Sequence, residues 1–108
     1  MFNYDIPVEI HSNKSADFNT ATVFIKGYNG FSTQINVSNG STFAATAYIE
    51  MSNNGDNWVR LTSDSIALSG ATDSGLFDVP LTAASLYRIA VVFTTGSADF
   101  SITYNVKG

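Results

Sequence analysis

The sequence has no cysteine, only two prolines and few charged residues, and each shortage excludes something. Without cysteine there can be no disulfide, no thiolate metal site and no cysteine nucleophile. Charged residues make up 13% of the chain, about half of the roughly 25% found in typical globular domains. The polar surface is therefore expected to consist mainly of Ser, Thr, Asn and Gly, which favours a protein that packs against neighbours.

Positive charge is especially scarce, with five Lys and Arg against nine Asp and Glu and a net charge of -4. Binding to a phosphate backbone needs clustered basic residues, and these five are scattered, so we predict no nucleic-acid partner. No apolar run approaches the roughly 18 residues that span a bilayer, and the first residues lack the pattern of a signal peptide. We expect one domain over residues 1–108 and no membrane partner.

Alternation of apolar and polar residues dominates the chain and predicts half-buried strands. Apolar residues share one strand face within 4–10, 43–51, 87–93 and 100–106. Further short strands are expected near 21–28, 31–38, 57–63, 66–69 and 75–79. We expect each apolar face to lie inward.

Turn-forming residues lie between these runs. Asn-Gly occurs at Asn29-Gly30, Asn39-Gly40 and Asn54-Gly55, and both residues tolerate the positive φ of a tight hairpin turn. A last hairpin is predicted at 95–97. About eight short strands at this spacing predict an all-β, antiparallel two-sheet β-sandwich of jelly-roll type, with a closed barrel as the alternative. Pro7 cannot donate to a ladder, which places the first strand at an edge.

No residue pattern indicates catalysis or a metal. His11 is the only histidine and stands in no catalytic motif. Asn53, Asn54, Asp56 and Asn57 offer oxygen ligands that calcium accepts, but the spacing of acids fails the EF-hand pattern. We predict no enzyme activity, no metal and no cofactor.

The stretch 51–61, MSNNGDNWVRL, contains an Asn-Gly turn and the single tryptophan. We predict a structural corner made by Asn54, Gly55 and Trp58. Alternation places Trp58 on the strand face opposite to that of Val59 and Leu61. Val59 and Leu61 are expected to face inward. Trp58 then either folds back to cap the sandwich end or stays exposed.

Residues 48–61, YIEMSNNGDNWVRL, and 86–91, LYRIAV, carry a resemblance to known families. A strand, a Ser-Asn-Asp-Gly type turn and a Trp-led return strand are followed later by an aromatic-Arg-aliphatic strand. Over 42–106 the chain resembles discoidin-like jelly-roll sandwiches and small β-sandwich proteins of tailed-phage particles. Asn54 stands where the commoner form of the turn has Asp.

The phage resemblance implies a virion structural protein, most directly a capsid decoration (cement) protein. Such a protein is made in the host cytoplasm and lies on the outer surface of the capsid. Its partners would be the major capsid protein or other virion proteins, and it would form a homo-oligomer, a trimer or a dimer. The arm with Phe2, Tyr4 and Ile6 is the predicted assembly interface. A tail or head-fibre component would have the same pattern.

A carbohydrate-binding, lectin-like module is the alternative function. Its contacts would be Tyr28, Phe31 and Trp58, which lie close to Asn-Gly turns. This alternative requires the three rings to be exposed and coplanar.

Overall fold

The structure, a computed structural model, describes residues 8–107, which form seven antiparallel strands and contain no helix. The strands are β1 (Val8–Lys14), β2 (Phe18–Asn19), β3 (Val23–Phe24), β4 (Gly30–Ser52), β5 (Val59–Ser69), β6 (Asp73–Val79) and β7 (Leu86–Lys107). The predicted all-β, antiparallel class is confirmed. Phe2, Tyr4 and Ile6, the predicted assembly arm, lie outside the described residues.

Strands β4 and β7 are long and pair with each other along nearly their whole lengths. Pairing runs from Gly30 opposite Lys107 to Ser52 opposite Leu86, with register shifts only near the middle of both strands. There Asn39 and Gly96 adopt positive φ, 53° and 77°. Bulges with such residues bend a strand and let it pass from one sheet to another.

The hairpins predicted at Asn39-Gly40 and at 95–97 are therefore wrong, because both segments lie within continuous strands. The positive φ that suits a tight turn also suits a bulge, so the sequence signal is the same. A Cβ on Gly96 would lie 2.3 Å from the carbonyl oxygen of Ser41, so the two bends fit together only with glycine here.

The bends divide the strands into two facing layers. Layer A contains β1, residues 98–107 of β7, residues 30–38 of β4, and β6. Layer B contains β2 and β3, residues 86–95 of β7, residues 44–52 of β4, and β5. Each layer is four strands wide, counting β2 and β3 as one, which matches the predicted sandwich of about eight strands.

The core lies between the layers. Phe31 of layer A stacks on Tyr87 of layer B with ring centroids 3.7 Å apart. The Tyr87 hydroxyl also forms a buried hydrogen bond of 2.9 Å with the Thr33 hydroxyl. Burial of each large apolar side chain contributes about 1.5–3 kcal/mol. The other fully buried large side chains are Phe100, Ile25, Ile35, Ile49, Leu68, Ile89, Ile102 and Val91.

Strand β1 departs from the predicted orientation. It stands at the end of the strand order, as Pro7 predicted, but Val8 and Ile10 are 54% and 63% exposed. Glu9 and His11 face the interior side instead. Alternation shows that the two faces of a strand differ, but it does not show which face the other layer covers. In β1 the covered face is the polar one.

Val59 is a second correction. Alternation predicts that it faces inward with Leu61, but its side chain is 65% exposed. Val59 begins the edge strand β5 beside the 53–58 turn, where the register with β4 ends at Met51. At this border of the sheet the inner face is open, whereas Leu61 packs partly against the core.

Candidate functional site

The connection between β4 and β5 is a corner stabilised by its own side chains. The Ser52 hydroxyl accepts the N–H groups of Asn54 and Gly55 at 3.2 and 2.9 Å. The Asn54 side-chain oxygen accepts those of Asp56 and Asn57 at 2.9 and 3.0 Å. Gly55 has a φ of 81°, which L side chains rarely adopt. These contacts place Asn54 and Gly55 in a tight turn.

Two of the four side chains considered for calcium, Asn53 and Asn54, use their oxygens in hydrogen bonds to the backbone. The Asn54 oxygen accepts from the backbone, and the Asn53 oxygen accepts the N–H of Ser85 at 3.0 Å. Within residues 8–107 no group of three or more His, Cys, Asp or Glu side chains is placed to hold a metal ion. The backbone N–H groups of residues 54–57 are accepted by the side chains of Ser52 and Asn54.

Trp58 folds back over the corner. Its indole N–H donates to the carbonyl oxygen of Gly55 at 3.2 Å, and the Arg88 guanidinium lies 4.2 Å from the ring. The ring is half-buried, with one face covered by a cation. This arrangement joins the turn to β7 through a cation–π contact, which contributes about 0.5–1 kcal/mol at a partly exposed site.

Glu50 connects two arginines on the outer face of layer B. Its carboxylate accepts from Arg88 Nε at 2.8 Å and from Arg60 Nε and Nη2, both at 3.1 Å. The Arg60 guanidinium lies 4.7 Å from the Tyr48 ring. We call Tyr48, Arg60, Glu50, Arg88 and Trp58 the arginine ladder. It ties together three strands and the corner.

The three rings proposed for sugar contacts are not brought together. Phe31 is 3% exposed and belongs to the core, so its prediction as an exposed contact is wrong. Its place next to Gly30 suggested a turn, but Gly30 already begins β4 and starts the inward alternation. Tyr28 is 44% exposed, and Trp58 is covered on one face by Arg88.

Glu9 is the centre of a polar cluster that holds β1 in place. It accepts from the Tyr104 hydroxyl at 2.6 Å, from the Ala21 N–H, and bonds His11. Burial opposes ionisation, but these hydrogen bonds hold the pKa of Glu9 below its usual value. Burial and the neighbouring Glu9 carboxylate raise the pKa of Tyr104. His11, the single histidine, thus contacts a structural carboxylate and the Phe18 ring.

The outer face of layer A is polar along its middle and has exposed apolar residues at its sides. Within 32–36 and 101–105 of its two central strands the outward residues are hydroxyls and amides. Exposed apolar residues lie on the strands at either side: Val8 and Ile10 on β1, and Leu76 on β6. A shallow cleft of about 740 Å³ opens there beside Leu76, Val79 and Pro80. No helix among residues 8–107 is long and apolar enough to cross a membrane.

Comparison with known proteins shows a shared fold. No protein-family model matches this sequence, and no curated protein sequence matches it. A solved crystal structure of PirA is similar, with a TM-score of 0.65 and 13% sequence identity over 97% of each chain. At this identity the likeness shows the fold alone. The resemblance to discoidin-like and phage sandwiches stays a prediction.

Sequence reasoning placed the corner but missed the arginine ladder. The signal was present on the polar face of β4, where Tyr48 and Glu50 alternate with buried Ile49. An acid at such a position needs a cation opposite it. Arg60 could have been paired through the Asn54-Gly55 turn, but Arg88 lies 38 residues from Glu50, and only the fold brings it near.

Proposed function

We propose that this chain is a virion structural protein, a capsid decoration (cement) protein on the outer surface of a tailed-phage shell. One observation carries the proposal, namely that β1 turns the apolar side chains of Val8 and Ile10 outward and the polar side chains of Glu9 and His11 inward. A free edge strand gains nothing from that orientation, because exposed β-branched residues at an edge promote association. In an assembled particle a neighbouring protein covers them.

The outward orientation of Val8 and Ile10 is fixed by contacts of β1 with its neighbours and is not a local slip of register. Glu9 is held on the inner side by Tyr104 and by the Ala21 N–H. Because side chains alternate along a strand, fixing Glu9 inward fixes Val8 and Ile10 outward. A one-residue slip would bury the apolar pair but expose Glu9 and break its bonds. In the sequence, Phe2, Tyr4 and Ile6 continue the same period-two alternation in phase with Val8 and Ile10.

The energy of each contact suits a repeated lattice. Val8 and Ile10 are a little over half exposed, so covering them contributes about 1 kcal/mol each. A pair of such side chains gives weak binding to one partner. Repetition of the contact around a shell makes the total attachment strong through multivalency. The proposed partners on the shell are the major capsid protein and neighbouring copies of this chain.

Charge supports the same role. The chain has only 13% charged residues, and its outer layer A face relies on amides and hydroxyls between apolar edges. Interfaces are depleted of charge at their centres and satisfy polar groups by hydrogen bonds. A tail or head-fibre position would use the same surface, and copy number distinguishes the two.

The carbohydrate-binding alternative has less support. It required three exposed, coplanar rings, and Phe31 is instead stacked in the core against Tyr87. Trp58 offers a single half-buried face.

Quantitative mass spectrometry of particles banded on a density gradient tests the proposal. A copy number comparable to that of the major capsid protein supports a shell component, and a few copies per particle indicate a tail or fibre part. Absence from the particle band, with the chain free in the soluble fraction, overturns the proposal. A glycan array would then test the alternative.

A further inference from the structure

We infer that the outer face of layer A binds the same face of a second copy of this chain, around a twofold axis parallel to the strands. The inference deepens the proposed assembly role and rests on it for its biological setting. The register of the four strands carries it.

One row across the face shows the symmetry. Val8 lies opposite Thr103, Thr103 opposite Gln34, and Gln34 opposite Leu76. The row therefore reads apolar, hydroxyl, amide, apolar. Val8 and Leu76 at its ends are 54% and 59% exposed. When the row is read in the opposite direction, its two ends are still apolar, and the hydroxyl and amide positions change places.

The two central strands repeat this complementarity. Three successive outward cross-strand pairs each join one hydroxyl residue to one amide residue, and no charged residue occurs within 32–36 or 101–105. The three pairs are Ser32–Asn105, Gln34–Thr103 and Asn36–Ser101. The next outward pair, Ser38–Asp99, ends this pattern. The acids on this face, Asp78 and Asp99, lie at its borders.

A twofold axis that lies between β4 and β7 and runs parallel to the strands brings the rows of the two copies face to face. The rotation exchanges the two central strands and keeps every row at its own height. Thr103 of one copy then faces Gln34 of the other, and Leu76 faces Val8. Hydroxyls and amides both donate and accept, so each facing pair can form a hydrogen bond. Sheets stack about 10 Å apart with a twist near -30°, which keeps the central rows closest.

The size of the face predicts weak association. Four strands about 4.8 Å apart and about 23 Å long cover roughly 450 Å² per copy. The total of roughly 900 Å² lies below the ~1,200 Å² of stable specific complexes. A dissociation constant of about 10 μM to 1 mM follows for the free chain.

Sedimentation equilibrium up to about 1 mM protein tests the dimer, since association follows mass action. Leu76→Asn should weaken dimerisation at least tenfold, because it removes two apolar contacts per dimer. Leu81→Asn is the matched control, since Leu81 is 80% exposed but lies outside strand β6 and this face. A chain that stays monomeric at the highest concentration overturns the inference. Equal weakening by both substitutions also overturns it.

Charge complementation tests the direction of the axis. A Gln34→Glu chain and a Thr103→Lys chain should each dimerise more weakly than the wild type. Mixed together, they should form a heterodimer about fivefold tighter than either homodimer, because the introduced carboxylate and ammonium meet only across copies with exchanged strands. Absence of this preference contradicts the strand-parallel axis, whatever the oligomeric state.

Failure here and failure of the assembly role give different results. A monomeric chain that bands stoichiometrically with particles overturns the twofold face and leaves the role standing. A chain that dimerises through Leu76 but is absent from particles leaves the face standing and overturns the role. A sugar or another virion protein that protects this face of the monomer from labelling also overturns the twofold contact.

Discussion

Replacing Glu50 by Gln is the sharpest test of what stabilises layer B. The substitution keeps the shape of the side chain and removes the charge that Arg60 and Arg88 share. Both guanidinium groups keep their aromatic neighbours but lose the carboxylate between them. Two cations then face each other across a neutral amide.

The magnitude follows from burial. The Glu50 side chain is 10% exposed, while those of Arg88 and Arg60 are 24% and 42% exposed. Exposed ion pairs contribute about 0–1 kcal/mol, and breaking a buried pair costs about 3–5 kcal/mol. For Glu50→Gln we expect about 2 kcal/mol, because the Arg60 half is discounted for solvent screening. Arg88→Gln should cost about 2 kcal/mol and Arg60→Gln about 1 kcal/mol, since each also loses a cation–π contact.

Urea unfolding measures these differences. Trp58 is the only tryptophan and lies on Arg88, so its fluorescence reports the ladder, and circular dichroism reports the sheets. Asp64→Asn is the matched control, since Asp64 is exposed on β5 and should change stability by less than about 0.5 kcal/mol. If Glu50→Gln behaves like this control, or if Arg60→Gln costs more than Arg88→Gln, the arginine ladder does not stabilise layer B in the way proposed.

Three further predictions concern the core, the bend and the acid limb of stability. Tyr87→Phe should cost about 1–3 kcal/mol in thermal unfolding, because it leaves the buried Thr33 hydroxyl without a partner, and adding Thr33→Val should recover part of the loss. Gly96→Ala should cost about 3 kcal/mol, from positive φ plus a clash with backbone, whereas Gly27→Ala, with open space around it, should cost about 1 kcal/mol. Glu9 has a lowered folded pKa, so its stabilisation is present above its unfolded value of 4.5 and is lost as pH falls through the folded pKa. Glu9→Gln should therefore flatten the acid limb of a stability–pH profile, and an unchanged slope contradicts the assignment.

Period-two alternation predicted which positions of the long strands β4 and β7 face the core, because each of these strands has one face packed there, but it did not predict that each is one continuous strand. The pairs Ala47–Ile49 and Ile89–Val91 show this directly, since all four are buried. Alternation did not predict that Val8 and Ile10 face outward, because that depends on which side of an edge strand the second layer covers. The Tyr104 hydroxyl, which holds Glu9 inward, comes from a strand 95 residues away.

Turn chemistry predicted where the chain changes direction but not how. Asn54-Gly55 forms a connection between strands, whereas Asn39-Gly40 forms a bend inside β4. Both need backbone conformations that Asn and Gly tolerate. The difference lies in β7, whose own bend at Gly96 fits against Ser41. A single strand cannot show that its partner bends at the same height.

If the outward apolar residues of β1 form the proposed assembly surface, a Val8→Ser/Ile10→Ser variant should lose its binding to the particle. Val59→Ser is the matched control, since Val59 is similarly exposed on layer B. Both variants should unfold within about 1 kcal/mol of the wild type, as exposed substitutions do. Only the β1 variant should be lost from gradient-purified particles. A β1 variant that stays on the particles at wild-type copy number would show that Val8 and Ile10 do not form the assembly surface.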